Sequence, residues 1–160
     1  MTPKTFIIDL DGTLSCEYFV YSDKGKKYKL FGPDDSDALK ILNKYLNIYF
    51  VSADKRGFKI SEKRVLDMGF KIFLVDTNIK RVEWLKKNHE IKNLIYMGDS
   101  FTDIPVFQSV NYSITTNNSF YLCKKYVNYS TRHSSGSRSL AEACEHILKK
   151  FFKKSLLDHL

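Results

Sequence analysis

Two aspartates separated by one residue stand near the start of the chain, in the segment FIIDLDGTLS from Phe6 to Ser15. Residues two positions apart project on the same side of an extended chain, so Asp9 and Asp11 would hold their carboxylates close together. Two such carboxylates repel each other unless a cation lies beside them, and Mg²⁺ is a hard ion that prefers oxygen ligands. The pattern therefore predicts a cation-binding acidic pair where an apolar strand ends.

A second acidic pair, Asp99 and Asp103, follows an apolar run in the segment IYMGDSFTDIP. A spacing of four at the start of a helix puts both carboxylates on one helix face. Gly98 would let the backbone approach a bound ion closely. Acidic residues at a helix N-terminus are also favourable for the helix dipole alone. The glycine and the preceding strand make a metal-binding role the preferred interpretation.

Two further polar residues occupy comparable positions. Ser52 ends the apolar segment NIYFVS, and Lys80 lies at the start of the helical segment in DTNIKRVEWLKKN. A hydroxyl can donate a hydrogen bond to a phosphate oxygen, and an ammonium can offset phosphate charge. Either residue alone is more typical of a turn or a solvated helix, so its interpretation depends on its position relative to the acidic pairs.

Short apolar runs alternate with segments of helical spacing along the chain. The predicted strands are Phe6 to Asp9, Ile48 to Val51, Ile72 to Val75, Leu94 to Met97 and Tyr112 to Thr115. The predicted helices are Asp37 to Leu46, Ser61 to Met68, Lys80 to Asn88 and Arg138 to Phe152. This alternation predicts an α/β fold, a Rossmann-like three-layer α/β/α sandwich with a mostly parallel sheet. In such sheets ligands bind at the carboxyl ends of the strands, where the polar segments would meet.

The segment from Glu17 to Gly32 breaks the alternation and predicts a β-hairpin flap, with Gly25 supplying the positive φ of its turn. The hairpin carries more large side chains than a free two-stranded ribbon needs, and such a patch usually marks an interface. These side chains are Tyr18, Phe19, Val20, Tyr21, Tyr28, Leu30 and Phe31.

Composition limits the class of protein. The chain has 160 residues, of which 43% are hydrophobic, and a net charge of +8. These values predict one folded domain, 1–160. The polar N-terminus does not resemble a secretion signal. No apolar run approaches the ~20 residues of a membrane helix. The three cysteines lack C-x-x-C spacing, which suggests reduced thiols. We therefore expect a cytoplasmic protein without a membrane partner. The positive charge is scattered, so nucleic acid is not an expected partner.

In chain order, the polar groups are Asp-x-Asp, Ser, Lys and Gly-Asp-x-x-x-Asp, which resembles the four motifs of the haloacid dehalogenase superfamily over essentially the whole chain. The resemblance implies a phosphatase in which Asp9 forms an aspartyl-phosphate and Asp11 acts as general acid and base. It also implies phosphate contacts from Ser52 and Lys80, and it implies that Lys80 offsets the charge of Asp9. The implied cofactor is Mg²⁺, held by Asp9, by Asp11 through its backbone carbonyl and by Asp99, with Asp103 in support.

The spaces between the motifs are too short for an inserted cap domain, so the chain resembles the capless branch and is similar to 3-deoxy-D-manno-octulosonate 8-phosphate phosphatases. The segment KLFGPDDSDALKIL stands where that family has Asp-Gly before a helix, and SSGSRSLAEACEHIL resembles its glycine-rich loop. Departures at Asp34, Ser36 and Ser52-Ala53-Asp54 leave the sugar open. The resemblance implies substrate contacts from Asp35, Lys55, Arg56 and Arg138.

The leading hypothesis is thus an Mg²⁺-dependent phosphatase for a small phosphorylated sugar or sugar acid. The relatives pack their hairpins at the centre of a homotetramer, where a neighbouring subunit partly closes each site, and the same assembly is expected here. Two alternatives remain: a phosphatase that processes nucleotides or nucleic-acid ends on the same fold, and a non-catalytic oligomerisation module.

Overall fold

The computed structural model describes residues 2–76 and 78–160. Its strands are β1 (Thr5–Asp9), β2 (Ser15–Ser22), β3 (Gly25–Phe31), β4 (Asn47–Ser52), β5 (Lys71–Leu74), β6 (Leu94–Gly98), β7 (Tyr112–Thr115) and β8 (Tyr129–Ser130). Its α-helices are α1 (Asp35–Leu42), α2 (Phe58–Asp67), α3 (Asn78–Asn88), α4 (Ile104–Ser109) and α5 (Ser139–Ile147). Strands and helices alternate, as the sequence pattern predicts.

The central sheet has the order β5-β4-β1-β6-β7-β8, and every neighbouring pair in it is parallel. If the hairpin strands are set aside, this is the strand order of the Rossmann fold. The chain leaves β1 towards β4 on one side and later returns to β6 on the other. The carboxyl ends of β1 and β6 therefore form the switch point where ligands bind in such sheets.

Both faces of the sheet are buried, which explains the nearly continuous apolar strands. Phe6 and Ile8 of β1 pack into a core with residues of α1, α2 and α5. Ile7, which points the other way, packs with residues of α3 and α4. The three-layer α/β/α prediction is confirmed.

The hairpin pairs β2 with β3 in antiparallel fashion, and Gly25 adopts the positive φ expected of its turn (+100°). Between β1 and β4 the chain forms a tight turn, this hairpin and α1, which leaves no room for a cap domain. None of the helices in the described residues is long and apolar enough to cross a membrane.

Several elements differ from the prediction in their bounds. Helices α1, α2 and α3 begin two or three residues before their predicted starts, at Asp35, Phe58 and Asn78. Helix α1 ends at Leu42, before the predicted Leu46, because the next four residues turn towards β4. Helix α5 gives way to a π-helical turn, Leu148–Phe152, after which Lys153 adopts a left-handed conformation (φ 57°). Strand β8 has only two residues, too few to produce an alternating pattern.

Candidate active site

The first aspartate pair lies where β1 ends. The side chain of Asp9 is buried, whereas that of Asp11 is one-third exposed. Between them and β2 the chain turns sharply at Gly12, whose φ is +79°. A Cβ atom at Gly12 would clash with Oδ2 of Asp99, so the glycine lets the two acidic segments approach each other.

The second acidic pair begins where β6 ends, beside the first. Oδ1 of Asp99 accepts a hydrogen bond from Oγ1 of Thr13 (3.3 Å). Oδ2 of Asp103 accepts hydrogen bonds from the backbone N–H groups of Asp99 (3.2 Å) and Ser100 (3.1 Å). A Cβ atom at Gly98 would lie 2.6 Å from Cγ of Asp103, so this glycine makes room for the carboxylate. Asp103 therefore holds the loop that carries Asp99.

Arg81 of α3 lies among these carboxylates. Its Nη1 atom is 2.8 Å from Oδ1 of Asp9 and 2.9 Å from Oδ1 of Asp103, and it donates to the hydroxyl of Tyr96 (2.7 Å). The Tyr96 hydroxyl in turn donates to Asp103 (2.6 Å). Burial alone would lower the pKa of Arg81, but Tyr96 and the two carboxylates raise it overall, so the guanidinium stays charged.

The cation that contacts Asp9 is thus Arg81, whereas the sequence predicts Lys80 in that place. The side chain of Lys80 is 65% exposed, and its ammonium lies 3.7 Å from Asp76. Arg81 precedes the fully buried Leu85 by four residues, so both belong to the inward face of α3. That helical phase was the signal that could have identified Arg81.

The acidic cluster can accommodate a metal ion. Asp9, Asp99 and Asp103 each offer one carboxylate oxygen, and these three atoms lie within 4.8 Å of one another. Burial, together with the charge of Asp103, raises the pKa of Asp99 to about 7. Burial also raises the pKa of Asp9, although Arg81 opposes this effect. A divalent cation would offset the cost of burying these two carboxylates in their charged form, and an all-oxygen ligand set suits Mg²⁺.

The three carboxylates are not equally available to such an ion. Both oxygens of Asp103 already accept hydrogen bonds, so Asp9 and Asp99 are better placed as direct side-chain ligands. The carboxylate of Asp11 is not part of this cluster, because it turns towards Ser52 and the hairpin. For Asp11, the backbone carbonyl remains the predicted contribution to the metal site.

Ser52 and two hairpin lysines surround Asp11. Ser52 donates to Oδ2 of Asp11 (3.3 Å), and Nζ of Lys29 lies 2.5 Å from Oδ1 of the same carboxylate. Lys29 and Lys26 also reach Oδ2 of Asp54, at 2.9 Å and 2.5 Å. Burial works against the charge of Asp54, but hydrogen bonds from the two lysines lower its pKa overall.

The sequence analysis missed Lys29 and Asp54. Lys29 stands between Tyr28 and Leu30, which are exposed, and alternate residues of a strand point to opposite faces. That alternation was a signal that Lys29 points inward. Asp54 was noted only as a departure from a family pattern.

The residues with implied substrate contacts lie elsewhere. Asp35 is buried and accepts a hydrogen bond from the backbone of Ala141 (2.9 Å), which joins α1 to α5. The other three lie in surface contacts: Lys55 with Asp76 (2.9 Å), Arg56 with the Tyr21 hydroxyl (3.5 Å) and Arg138 with Asp34 (2.6 Å). None of these four residues lines the cavity described next.

A cavity of about 390 Å³ opens beside the aspartates. The hairpin contributes part of its wall, and the remainder comes from the segments that follow β1, β4 and β6 and from α3. Its lining residues are Asp9, Asp11, Gly12, Ser15, Cys16, Glu17, Tyr18, Phe19, Lys29, Ala53, Asp54, Arg81, Asp99, Ser100, Thr102 and Asp103.

Comparison with known proteins finds phosphatases that are similar to this chain in sequence and fold. No protein-family model matches the chain. The 3-deoxy-D-manno-octulosonate 8-phosphate phosphatase KdsC of Escherichia coli K12 is 23% identical over 150 residues, which cover 91% of this chain and 79% of KdsC.

Two solved structures share the fold. One is the 3-deoxy-D-manno-octulosonate 8-phosphate phosphatase of Moraxella catarrhalis, solved in complex with magnesium, phosphate and KDO. Its TM-score is 0.79 and it is 24% identical; the match covers 92% of this chain and 86% of the Moraxella catarrhalis chain. The cobalt-bound phosphatase (YrbI) of Haemophilus influenzae has a TM-score of 0.79 and is 22% identical. The match covers 92% of this chain and 88% of the Haemophilus influenzae chain. These likenesses confirm the resemblance that the four motifs predict: the chain has the fold of haloacid dehalogenase superfamily phosphatases and resembles KdsC along most of its length.

Proposed function

We propose that the chain is a Mg²⁺-dependent phosphatase that hydrolyses a small phosphorylated sugar or sugar acid through an aspartyl-phosphate. The observation that carries the proposal is the meeting of Asp9, Asp11 and Asp99 at one cavity, with the guanidinium of Arg81 against Asp9. Phosphoryl transfer depends mainly on positioning and on charge neutralisation, and this arrangement can supply both. The similarity to KdsC supports the same reaction.

In the first step, a carboxylate oxygen of Asp9 would attack phosphorus while the bond to the ester oxygen breaks. Asp11 would give its proton to that departing oxygen, releasing the alcohol. In the second step, water would attack the phosphorus of the aspartyl-phosphate and pass a proton to Asp11. The bond between phosphorus and Asp9 would then break, releasing phosphate and restoring both groups.

The bound metal would supply positive charge to the phosphoryl oxygens, held by the side chains of Asp9 and Asp99 and the backbone carbonyl of Asp11. Asp103 would keep Asp99 in place from behind. Arg81 would orient Asp9 and compensate its charge, which is the task that the sequence assigns to Lys80. Ser52, where β4 ends, remains the candidate donor to a phosphoryl oxygen.

A turnover screen tests the proposal. Phosphate release would be measured with Mg²⁺ over a panel of phosphorylated sugars, sugar acids and nucleotides. Preferred turnover of a sugar or sugar-acid phosphate is expected, because the similar proteins are named for such a substrate. Preferred turnover of nucleotides would instead favour the alternative phosphatase, and no turnover of any ester would favour the non-catalytic module.

We further propose that the chain assembles as a homotetramer through its hairpin. Tyr18 and Tyr28 are 70% and 66% exposed, and Phe19, Val20, Tyr21 and Leu30 are also exposed. A contiguous apolar patch of this kind is rarely left exposed to water on a monomer, and it usually marks an interface. Because Tyr18 and Phe19 also line the cavity, a neighbouring subunit at the hairpin would cover part of the site.

A further inference from the structure

We propose that Lys29 is a positioning residue that fixes the carboxylate of Asp11 and thereby couples the hairpin to proton transfer. The inference rests on the proposed function, in which Asp11 protonates the leaving oxygen. Lys29 lies on β3, in a part of the chain that none of the four motifs includes.

Lys29 is almost completely enclosed, since only 1% of its side chain is exposed. An ammonium has three N–H donors, and three oxygens lie within hydrogen-bond distance of this one. They are Oδ1 of Asp11 at 2.5 Å, Oδ2 of Asp54 at 2.9 Å and Oγ of Ser61 at 2.7 Å. Every donor can therefore be satisfied, and the ammonium has little freedom to move.

A buried ammonium requires compensating charge, and here two carboxylates provide it. Asp54 is itself fixed, because its Oδ1 accepts a hydrogen bond from the backbone of Gly57 (3.0 Å). Lys29 is thus anchored on Asp54 and Ser61, and it extends from that anchor to Asp11. Of the partners of Lys29, both Asp11 and Asp54 line the cavity, but only Asp11 takes part in the proposed chemistry.

The second oxygen of Asp11 belongs to the same network. Ser52 donates to it at 3.3 Å, and the hydroxyl of Ser52 accepts a hydrogen bond from the backbone of Asp54 (3.1 Å). Lys29 and Ser52 therefore hold the carboxylate of Asp11 from two sides, and both contacts lead back to Asp54. Such a closed network fixes the plane of the carboxylate in its ionised form, which is the form that accepts a proton from the attacking water. The same orientation serves the protonated group when it donates to the leaving oxygen, because proton transfer depends on geometry.

Lys26 provides a matched control. It lies on the same strand, and its ammonium contacts the same carboxylate of Asp54 at 2.5 Å. No contact of Lys26 reaches Asp11 among the described residues. A role limited to docking the hairpin would make the two lysines equivalent, whereas a role in positioning Asp11 belongs to Lys29 alone.

The test compares leaving groups. An alkyl phosphate needs its leaving oxygen protonated, whereas 4-nitrophenyl phosphate has an activated leaving group that departs with little help. With Mg²⁺ present, Lys29→Met should lower kcat/KM for a sugar phosphate about 100-fold, within the range attributed to general acid catalysis, and for 4-nitrophenyl phosphate less than about fivefold. Lys26→Met should lower both values by the same small factor. Lys29→Arg, which keeps the charge, should restore part of the loss on the sugar phosphate.

The inference would be overturned if Lys29→Met lowered kcat/KM equally for both esters. It would also be overturned if Lys26→Met lowered kcat/KM selectively for the sugar phosphate. Circular dichroism would establish that each variant is folded. A second measurement does not depend on turnover: the ¹⁵Nζ resonance of Lys29 should shift in Asp11→Asn, while that of Lys26 stays in place. An unchanged Lys29 resonance would refute the contact. A wild-type chain inactive on every ester would refute the proposed function instead, and the resonance would still decide the contact.

Discussion

Replacing Arg81 with methionine should destabilise the protein strongly in the absence of Mg²⁺. The Arg81 side chain is only 3% exposed, and its guanidinium contacts two carboxylates, Asp9 at 2.8 Å and Asp103 at 2.9 Å. Methionine fills much of the same volume but leaves both carboxylates without their counter-charge. Removing one partner of a buried ion pair typically costs about 3–5 kcal/mol, which is a large part of the roughly 5–15 kcal/mol that stabilises a typical domain.

The loss of stability can be measured by urea unfolding, with the free energy of unfolding extrapolated linearly to zero urea. The free energy of unfolding of Arg81→Met should fall by about 3–5 kcal/mol without metal, and Mg²⁺ should restore part of it because the ion would neutralise Asp9, one of the two carboxylates that Arg81 contacts. Turnover should fall as well. Lys80→Met is the matched control: it changes an exposed neighbour and should shift stability by no more than about 0.5 kcal/mol. Loss of turnover in Lys80→Met with little change in Arg81→Met would refute the reasoning and restore Lys80 as the site cation.

Four further outcomes are expected. Asp9→Asn should lose turnover by orders of magnitude while remaining folded, and residual activity above about a tenth of wild type would contradict its role as nucleophile. Chelation should abolish turnover, Mg²⁺ should restore it and Ca²⁺ should support it poorly, whereas full activity after exhaustive chelation would exclude the metal. Burial raises the pKa of Asp35 from 3.8 to about 6, so its contribution of about 3 kcal/mol to the free energy of unfolding should be present below pH 4 and lost as the pH rises through 6. Asp35→Asn should remove that pH dependence and be more stable than wild type at pH 8, and an unaltered pH profile would contradict the assignment. Light scattering should show a tetramer that Phe19→Asp and Tyr28→Asp dissociate, and a wild-type mass near 18.7 kDa at micromolar concentration would refute assembly.

Much of the fold could be predicted because a buried parallel sheet imposes a simple pattern. The five predicted strands lie within a residue or so of their observed bounds, since each is an apolar run flanked by polar turns. The meeting of the acidic pairs followed from the rule that parallel strands present their carboxyl ends at one edge. Strand β8 could not be predicted in this way, because two residues carry no periodicity.

The site was harder to predict than the sheet, because side chains reach it from elements whose orientation the motifs do not specify. Lys80 and Arg81 are adjacent basic residues, and only the rotational phase of α3 decides which of them faces Asp9. Lys29 contacts Asp11 only because the hairpin folds back towards β1. The two residues are far apart in the sequence, so no short motif contains both. Asp35 matched a family position by sequence, yet its carboxylate serves the contact between two helices.

The two glycines beside the acidic cluster have a consequence for how such a site can decay in evolution. Gly12 leaves the space that Asp99 occupies, and Gly98 leaves the space that Asp103 occupies, so even an added methyl group at either position would meet a carboxylate. Gly12 has the further constraint of a positive φ, whereas Gly98 has none, so the main obstacle to a larger residue at position 98 is the Asp103 carboxylate at 2.6 Å, ahead of Cε1 of Tyr96 at 3.0 Å. A descendant that lost its acidic residues would be released from that crowding. Among inactive descendants of this fold, alanine or serine at position 98 should therefore appear together with loss of the position-103 carboxylate, and before any change at position 12.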